Sequence, residues 1–98
     1  MSGTDLIARR IIVRGKVQGV FYRHWTMETA RGIGLKGWVR NRSSGEVEIL
    51  AIGSQEDVED LERKCRRGPF GAEVTEVTSE KTQLEPLRTF EKRPTVRG

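Results

Sequence analysis

The chain has 98 residues, 35% of them hydrophobic and 33% charged, and a net charge of +4. This length and composition fit one compact domain and exclude a second hydrophobic core. No segment reaches the roughly 18 apolar residues of a membrane span, and the first residues lack the basic and apolar regions of a secretory signal. We therefore expect one cytoplasmic domain over residues 1–98, with flexible ends at residues 1–6 and 94–98, and no membrane partner.

The chain has one cysteine, Cys65, and one histidine, His24. A lone cysteine excludes a disulfide framework, and this pair is too small for a Cys/His zinc site. We therefore expect no metal and no cofactor. The excess of basic residues suggests an anionic partner, either nucleic acid or a small phosphate, although a solvated basic surface is an equally good interpretation at this point.

The first third of the sequence predicts a strand, a loop and a helix. Residues 7–14 are rich in β-branched side chains and end at Gly15. After the loop 16–21, small and apolar residues recur at helical spacing up to Gly34, a natural helix stop. These residues are Tyr22, Thr26, Ala30 and Ile33.

The middle of the chain predicts a hairpin and a second helix. A strand over residues 35–41 precedes the turn 42–45, and the strand from Glu46 alternates apolar residues on one face. Ser54 can cap the next helix, which Gly68-Pro69 would end. Its apolar stripe consists of Val58, Leu61 and Cys65.

Two more strand candidates, at residues 74–79 and 88–92, complete the pattern βαββαβ with one short or weak extra strand. This order predicts an α+β, ferredoxin-like sandwich: a mostly antiparallel sheet of four to five strands with two helices on one face. Because unrelated functions share this fold, function has to be argued from a site.

The loop between the first strand and the first helix is the best candidate for a site. Glycines at 15 and 19 allow backbone N–H groups to turn inward, and the helix start adds its positive dipole end. The spacing matches neither a Walker A loop nor Gly-x-Gly-x-x-Gly. The guanidinium of Arg23 could fold back to the loop and bind phosphate oxygens. An ordinary tight connection and a surface arginine are the alternatives.

Two segments carry a family resemblance. Val13-x-Gly15-x-Val17-Gln18-Gly19-Val20-x-Tyr22-Arg23 and Gly37-Trp38-Val39-Arg40-Asn41-x-x-x-Gly45-x-Val47 resemble the two acylphosphatase signatures, in the right order. Further similarity, through Gly34-Leu35 and Gly68-Pro69, extends over nearly the whole chain. Tyr22 departs from the more usual Phe or Met, and Ser44-Gly45 replaces a common Asp-Gly turn.

The resemblance implies hydrolysis of the carboxyl–phosphate bond of acyl phosphates without metal, with Arg23 and Asn41 as the catalytic residues. Water would attack phosphorus directly, because a carboxylate leaving group needs no general acid. Asn41 would orient that water, since an amide is no base at neutral pH. The expected substrate-binding residues are Lys16, Val17, Gln18, Gly19, Val20, Phe21, Tyr22 and Arg23.

The expected partners are a small-molecule acyl phosphate and inorganic phosphate, the latter as product and competitive inhibitor, and the expected state is a monomer that does not bind nucleic acid. Two alternatives stay open: an RNA-recognition module, which shares the βαββαβ order, and a domain that binds phosphorylated ligands without turnover. The first has little support, because the third strand has no aromatic residue. We also expect His24 to be exposed and non-catalytic, and Cys65 and Trp38 to be packing residues.

Overall fold

The structure, a computed structural model, describes residues 5–97. The predicted order of elements is confirmed, and the ends of the elements differ from the predicted ones by a few residues. The elements are β1 (Ile7–Lys16), α1 (Tyr22–Ile33), β2 (Lys36–Asn41), β3 (Val47–Gly53), α2 (Gln55–Arg67), β4 (Glu73–Lys81) and β5 (Phe90–Lys92).

The strands form one sheet in the order β4-β1-β3-β2-β5. Neighbouring strands are antiparallel, except that β5 runs parallel to β2. Each helix connects two parallel strands that have a third strand between them, β3 in one case and β1 in the other. This is the split βαβ arrangement, so the predicted ferredoxin-like fold is confirmed. Neither helix of residues 5–97 is long and apolar enough to cross a membrane.

The main core lies between the sheet and the two helices. Ile11 faces Ile49 and Val13 faces Val47 across β1 and β3, and all four side chains are fully buried. The stripe of α2 packs on the same face, with Cys65 at 0% exposure. Cys65 is therefore a core residue, as expected, and its burial raises the pKa of the thiol to about 12.

The other face of the sheet carries a smaller apolar cluster around Trp38, together with Ala8, Leu50 and Ile52. Trp38 is only 7% exposed, and the guanidinium carbon of Arg40 lies 4.3 Å from its ring centroid. Trp38 is therefore a packing residue, as predicted, and offers no open aromatic face for stacking on a base.

The C-terminal segment makes backbone hydrogen bonds at the end of β2, and the expected flexibility of residues 94–98 stays a prediction. The N–H of Val96 donates to the Asn41 carbonyl at 2.9 Å, and the Val96 carbonyl accepts from the N–H of Ser43 at 2.9 Å. These bonds place Val96 opposite Arg42 in a parallel bridge. The tail therefore follows the edge of the sheet beyond β5, where backbone groups at the end of β2 offer partners. Residues 1–4 and 98 lie outside the described residues.

The start of α2 and the end of α1 show how local chemistry sets the limits of a helix. Ser54 caps α2, its hydroxyl oxygen accepting from the N–H of Asp57 at 3.2 Å. Gly34 ends α1 in the left-handed conformation, with φ of +99°. The exposed Gly32 is the next-to-last residue of α1, its φ is one that any residue adopts, and an added Cβ there would meet nothing within 4 Å.

Gly32→Ala is expected to raise the free energy of unfolding by about 0.5 to 1 kcal/mol, because alanine loses less backbone freedom on folding. Urea denaturation measures the change. Gly34→Ala is the matched control, since a Cβ at its left-handed φ is strained although space is open there; we expect a loss of about 1 kcal/mol. Equal effects of the two substitutions would contradict this explanation.

Candidate functional site

A cavity of about 300 Å³ opens at one edge of the sheet. The C-terminal ends of β1, β2 and β5 meet there, because β1 and β2 both run antiparallel to β3 and β5 runs parallel to β2. The β1–α1 loop and the first turn of α1 complete the wall. The lining residues are Val17, Gln18, Gly19, Phe21, Tyr22, Arg23, His24, Asn41 and Lys92.

The β1–α1 loop has the backbone of an anion-binding loop. Gly19 has φ of +77° and Phe21 φ of +59°, both in the left-handed region. Within residues 5–97, no backbone hydrogen bond uses the N–H groups of residues 18–21 as donors. Together with the N-terminal end of α1, these donors can serve a bound anion.

Gln18 ties this loop to the turn that follows β2. Its side-chain Nε2 donates to the Arg42 carbonyl at 2.8 Å and to the Glu46 carbonyl at 2.9 Å. These partners are 24 and 28 residues away in sequence, so no local pattern could have predicted the contact. The two bonds hold the loop in a set position relative to Asn41, which immediately precedes the turn.

Arg23 lies on the first turn of α1 and is partly buried at the cavity wall. Its Nη1 donates to the Arg93 carbonyl at 2.9 Å. No carboxylate of residues 5–97 forms an ion pair with it. A guanidinium has five N–H donors, so this arginine is held in place and still has charge and donors to offer an anion.

Asn41 is the last residue of β2 and lines the cavity. Its Oδ1 is buried and has no hydrogen-bond partner within the described part of the chain. Its backbone carbonyl is held by the N–H of Val96. A buried amide oxygen without a protein partner is uncommon, and Asn41 is one of the residues that line the cavity.

The cavity brings Arg23 and Asn41 together with most of the predicted loop residues, but two of the predicted substrate-binding residues do not line it. Lys16 ends β1 as an exposed residue opposite Glu73. Val20 packs against the core instead.

Tyr22 contributes to the cavity wall although its side chain is almost completely buried. Its hydroxyl donates to the Cys65 carbonyl at 2.7 Å, which satisfies the polar group that makes Tyr unusual at this position. Burial raises the pKa of this phenol, so it stays protonated and serves packing between the two helices.

His24 and Lys92 also line the cavity, and neither was predicted to do so. His24 is exposed, as expected. Lys92 lies on β5, and it reaches the site because β5 pairs in parallel with β2, placing Lys92 opposite Val39. The sequence has no local signal for this placement, since a three-residue strand can be added at either edge of a sheet.

Glu48 lies on the face of the sheet that is turned away from the helices. It binds three arginines close to the turn that follows β2. Its carboxylate accepts from Arg40 Nε at 2.8 Å and Arg42 Nη1 at 3.0 Å, and it also pairs with Arg10. Burial raises the pKa of this carboxyl, but the hydrogen bonds from Arg40 and Arg10 outweigh burial and lower the pKa below its usual value. The network fixes Arg42, whose carbonyl accepts from Gln18.

Glu48→Gln is expected to lower the free energy of unfolding by about 2 kcal/mol at pH 7, less than for a fully buried pair because the arginines are partly exposed. A lowered pKa in the folded state stabilises the fold above the unfolded pKa, about 4.3, and this contribution is lost as pH falls through the folded pKa. The difference between parent and variant should therefore shrink at pH 3.

Urea denaturation at pH 7 and pH 3 measures both effects. Glu76→Gln is the matched control, because Glu76 pairs with Arg14 at 3.2 Å on the exposed edge strand, where an ion pair contributes little. A control that loses as much stability as Glu48→Gln would contradict a special role for the buried carboxylate.

Fold and site together define a class of protein: a small split βαβ sandwich with a basic cavity at a strand-to-helix loop. The acylphosphatase family model matches residues 9–92. An acylphosphatase of Rhizorhabdus wittichii is 48% identical over 99 residues, which cover 98% of this chain and all of the relative.

Solved structures agree with this match. An acylphosphatase from Coxiella burnetii superposes with a TM-score of 0.89 at 34% identity, covering 95% of this chain and 100% of the other. One from Bacillus subtilis has a TM-score of 0.86 at 34% identity, covering 91% and 99%. The chain belongs to the acylphosphatase family. The RNA-recognition alternative is not favoured, since the best stacking candidate, Trp38, is buried.

Proposed function

We propose that this protein hydrolyses the carboxyl–phosphate bond of acyl phosphates to a carboxylate and inorganic phosphate. Family membership supports this reaction. The observation that carries the proposal is one cavity lined by the β1–α1 loop, Arg23 and Asn41. We assign the phosphoryl group to the loop and Arg23, and the attacking water to Asn41.

Phosphate binding rests on charge and on backbone donors. The N–H groups of residues 18–21 have no backbone acceptor within residues 5–97, and Arg23 adds a charge that no carboxylate neutralises there. Donors fixed before the substrate arrives need no reorganisation as charge develops on the equatorial phosphoryl oxygens. The bond from Arg23 to the Arg93 carbonyl supports this role, because it restricts the guanidinium to the cavity wall.

Asn41 positions the water in this proposal. Its side-chain amide would form a hydrogen bond to the water and direct the oxygen lone pair at phosphorus. The amide takes up no proton, so the proton passes to a phosphate oxygen. The carboxylate departs as a stable anion and needs neither a general acid nor a Lewis acid, so the proposed mechanism uses no metal.

We further propose that inorganic phosphate, the product, competes with substrate for the loop, and that the protein acts as a cytoplasmic monomer on a small-molecule substrate. The cavity wall has the cationic side chains of Arg23 and Lys92 and no carboxylate among its lining residues, which supports attraction of anions.

The proposal is tested by assaying hydrolysis of benzoyl phosphate with a metal chelator present, against a phosphate monoester as control substrate. We expect rapid hydrolysis of benzoyl phosphate, an unchanged rate with chelator, very slow hydrolysis of the monoester, and competitive inhibition by millimolar phosphate. A protein that binds phosphate but does not turn over the acyl phosphate would instead be a ligand-binding domain. Restoration of a lost rate by added Mg²⁺ or Zn²⁺ would refute the metal-free mechanism.

A further inference from the structure

Phe21 combines two unfavourable features at the cavity wall. It is the one non-glycine residue of residues 5–97 with a positive φ, +59°, a conformation that is costly for a residue with a Cβ. Its side chain is also 84% exposed, which leaves a large apolar ring in water. A glycine at this position would adopt the same backbone without strain and would expose no ring.

The fold gains no packing from this ring. Phe21 belongs to neither apolar cluster of the protein, and the ring pair between Tyr22 and Trp25 does not include it. Its carbonyl accepts from the N–H of Trp25 in the first turn of α1, a bond that any residue could make. A strained backbone and an exposed aromatic ring that do not serve the fold point to a role in binding.

The position of the ring indicates what it binds. Phe21 lines the same cavity as Arg23 and Asn41, and its side chain is exposed to solvent. A substrate whose phosphoryl group is held by the loop has to extend its acyl group toward the open side. The exposed ring is the large apolar surface that the acyl group would meet there.

We propose that the Phe21 ring binds the acyl group of the substrate and favours aromatic or apolar acyl phosphates over short ones; this inference rests on the proposed function. His24 and Lys92 lie on the same wall, but their exposed polar groups are normal in water and have no cost that needs explaining. In the proposed function Phe21 contacts phosphate through its backbone N–H, which substitution of the side chain preserves.

The test compares kcat/KM for benzoyl phosphate and acetyl phosphate, which share the phosphoryl group and differ in the acyl group. In Phe21→Ala the ratio of benzoyl to acetyl phosphate is expected to fall about threefold to tenfold, mainly through KM, the factor that an aromatic ring pair contributes. Phe21→Tyr should keep the parental ratio. Phe70→Ala is the matched control, because Phe70 is fully exposed but does not line the cavity.

Phe21→Gly removes the ring and also relieves the backbone strain, so a change in its substrate ratio cannot be attributed to a loss of stability. It should show the same fall in the ratio as Phe21→Ala, with a melting temperature no lower than that of the parent. A parental ratio in both variants, or an equal loss for both substrates, overturns the inference and leaves the proposed function standing. A parent protein that hydrolyses neither substrate overturns the proposed function, and the inference with it.

Discussion

Arg23→Ala is expected to lower kcat/KM for benzoyl phosphate by about 10³-fold or more and to weaken inhibition by phosphate. The substitution removes charge-assisted donors to the phosphoryl oxygens, which act in the ground state and more strongly in the transition state. Steady-state kinetics and calorimetric titration with phosphate measure the two effects. Arg23→Lys should recover only part of the loss, because an ammonium lacks the planar pair of donors.

Arg31→Ala is the matched control for Arg23→Ala. Arg31 lies on the same helix, and its Nε donates to the Phe90 carbonyl at 2.8 Å, much as Arg23 donates to the Arg93 carbonyl. Arg31 does not line the cavity. Activity near that of the parent in Arg31→Ala would show that the loss in Arg23→Ala is not caused by a missing bond to the C-terminal segment. Comparable losses in the two variants would contradict a direct role of Arg23.

Asn41→Ala is expected to lower kcat by about 10² to 10³-fold while phosphate affinity stays near the parental value. The water loses the group that directs it at phosphorus, whereas the loop and Arg23 still hold the phosphoryl group. The same two measurements, kinetics and phosphate titration, separate turnover from binding. Parental turnover in this variant would disprove the water-orienting role.

Stability gives Asn41→Ala a second readout. Because Oδ1 has no protein partner within residues 5–97, its removal breaks no hydrogen bond of the fold there, and the backbone bond from Val96 remains. We expect the free energy of unfolding to stay within about 0.5 kcal/mol of the parental value or to rise. A variant that no longer folds would show that Asn41 is a structural residue of the turn.

Local sequence signals determined the order and the approximate ends of the elements. The β-branched run of β1, the Ser54 cap and the Gly34 stop act through neighbouring residues, so their effects can be predicted from short segments. The same holds for the core stripe of α2. The loop was identified as a candidate anion site because glycines and a helix start together supply backbone donors.

Only the tertiary structure decided which distant residues complete the cavity. Strand pairing decides three features of the site. These are the bonds of Gln18 to the turn, the position of Lys92, and the bond from Arg23 to the Arg93 carbonyl. Strand order and the parallel placement of β5 result from hydrogen bonds between segments far apart in sequence, which local propensity does not encode. The hydrogen bonds of Val96 have the same origin, since its partners belong to the end of β2 and the turn after it.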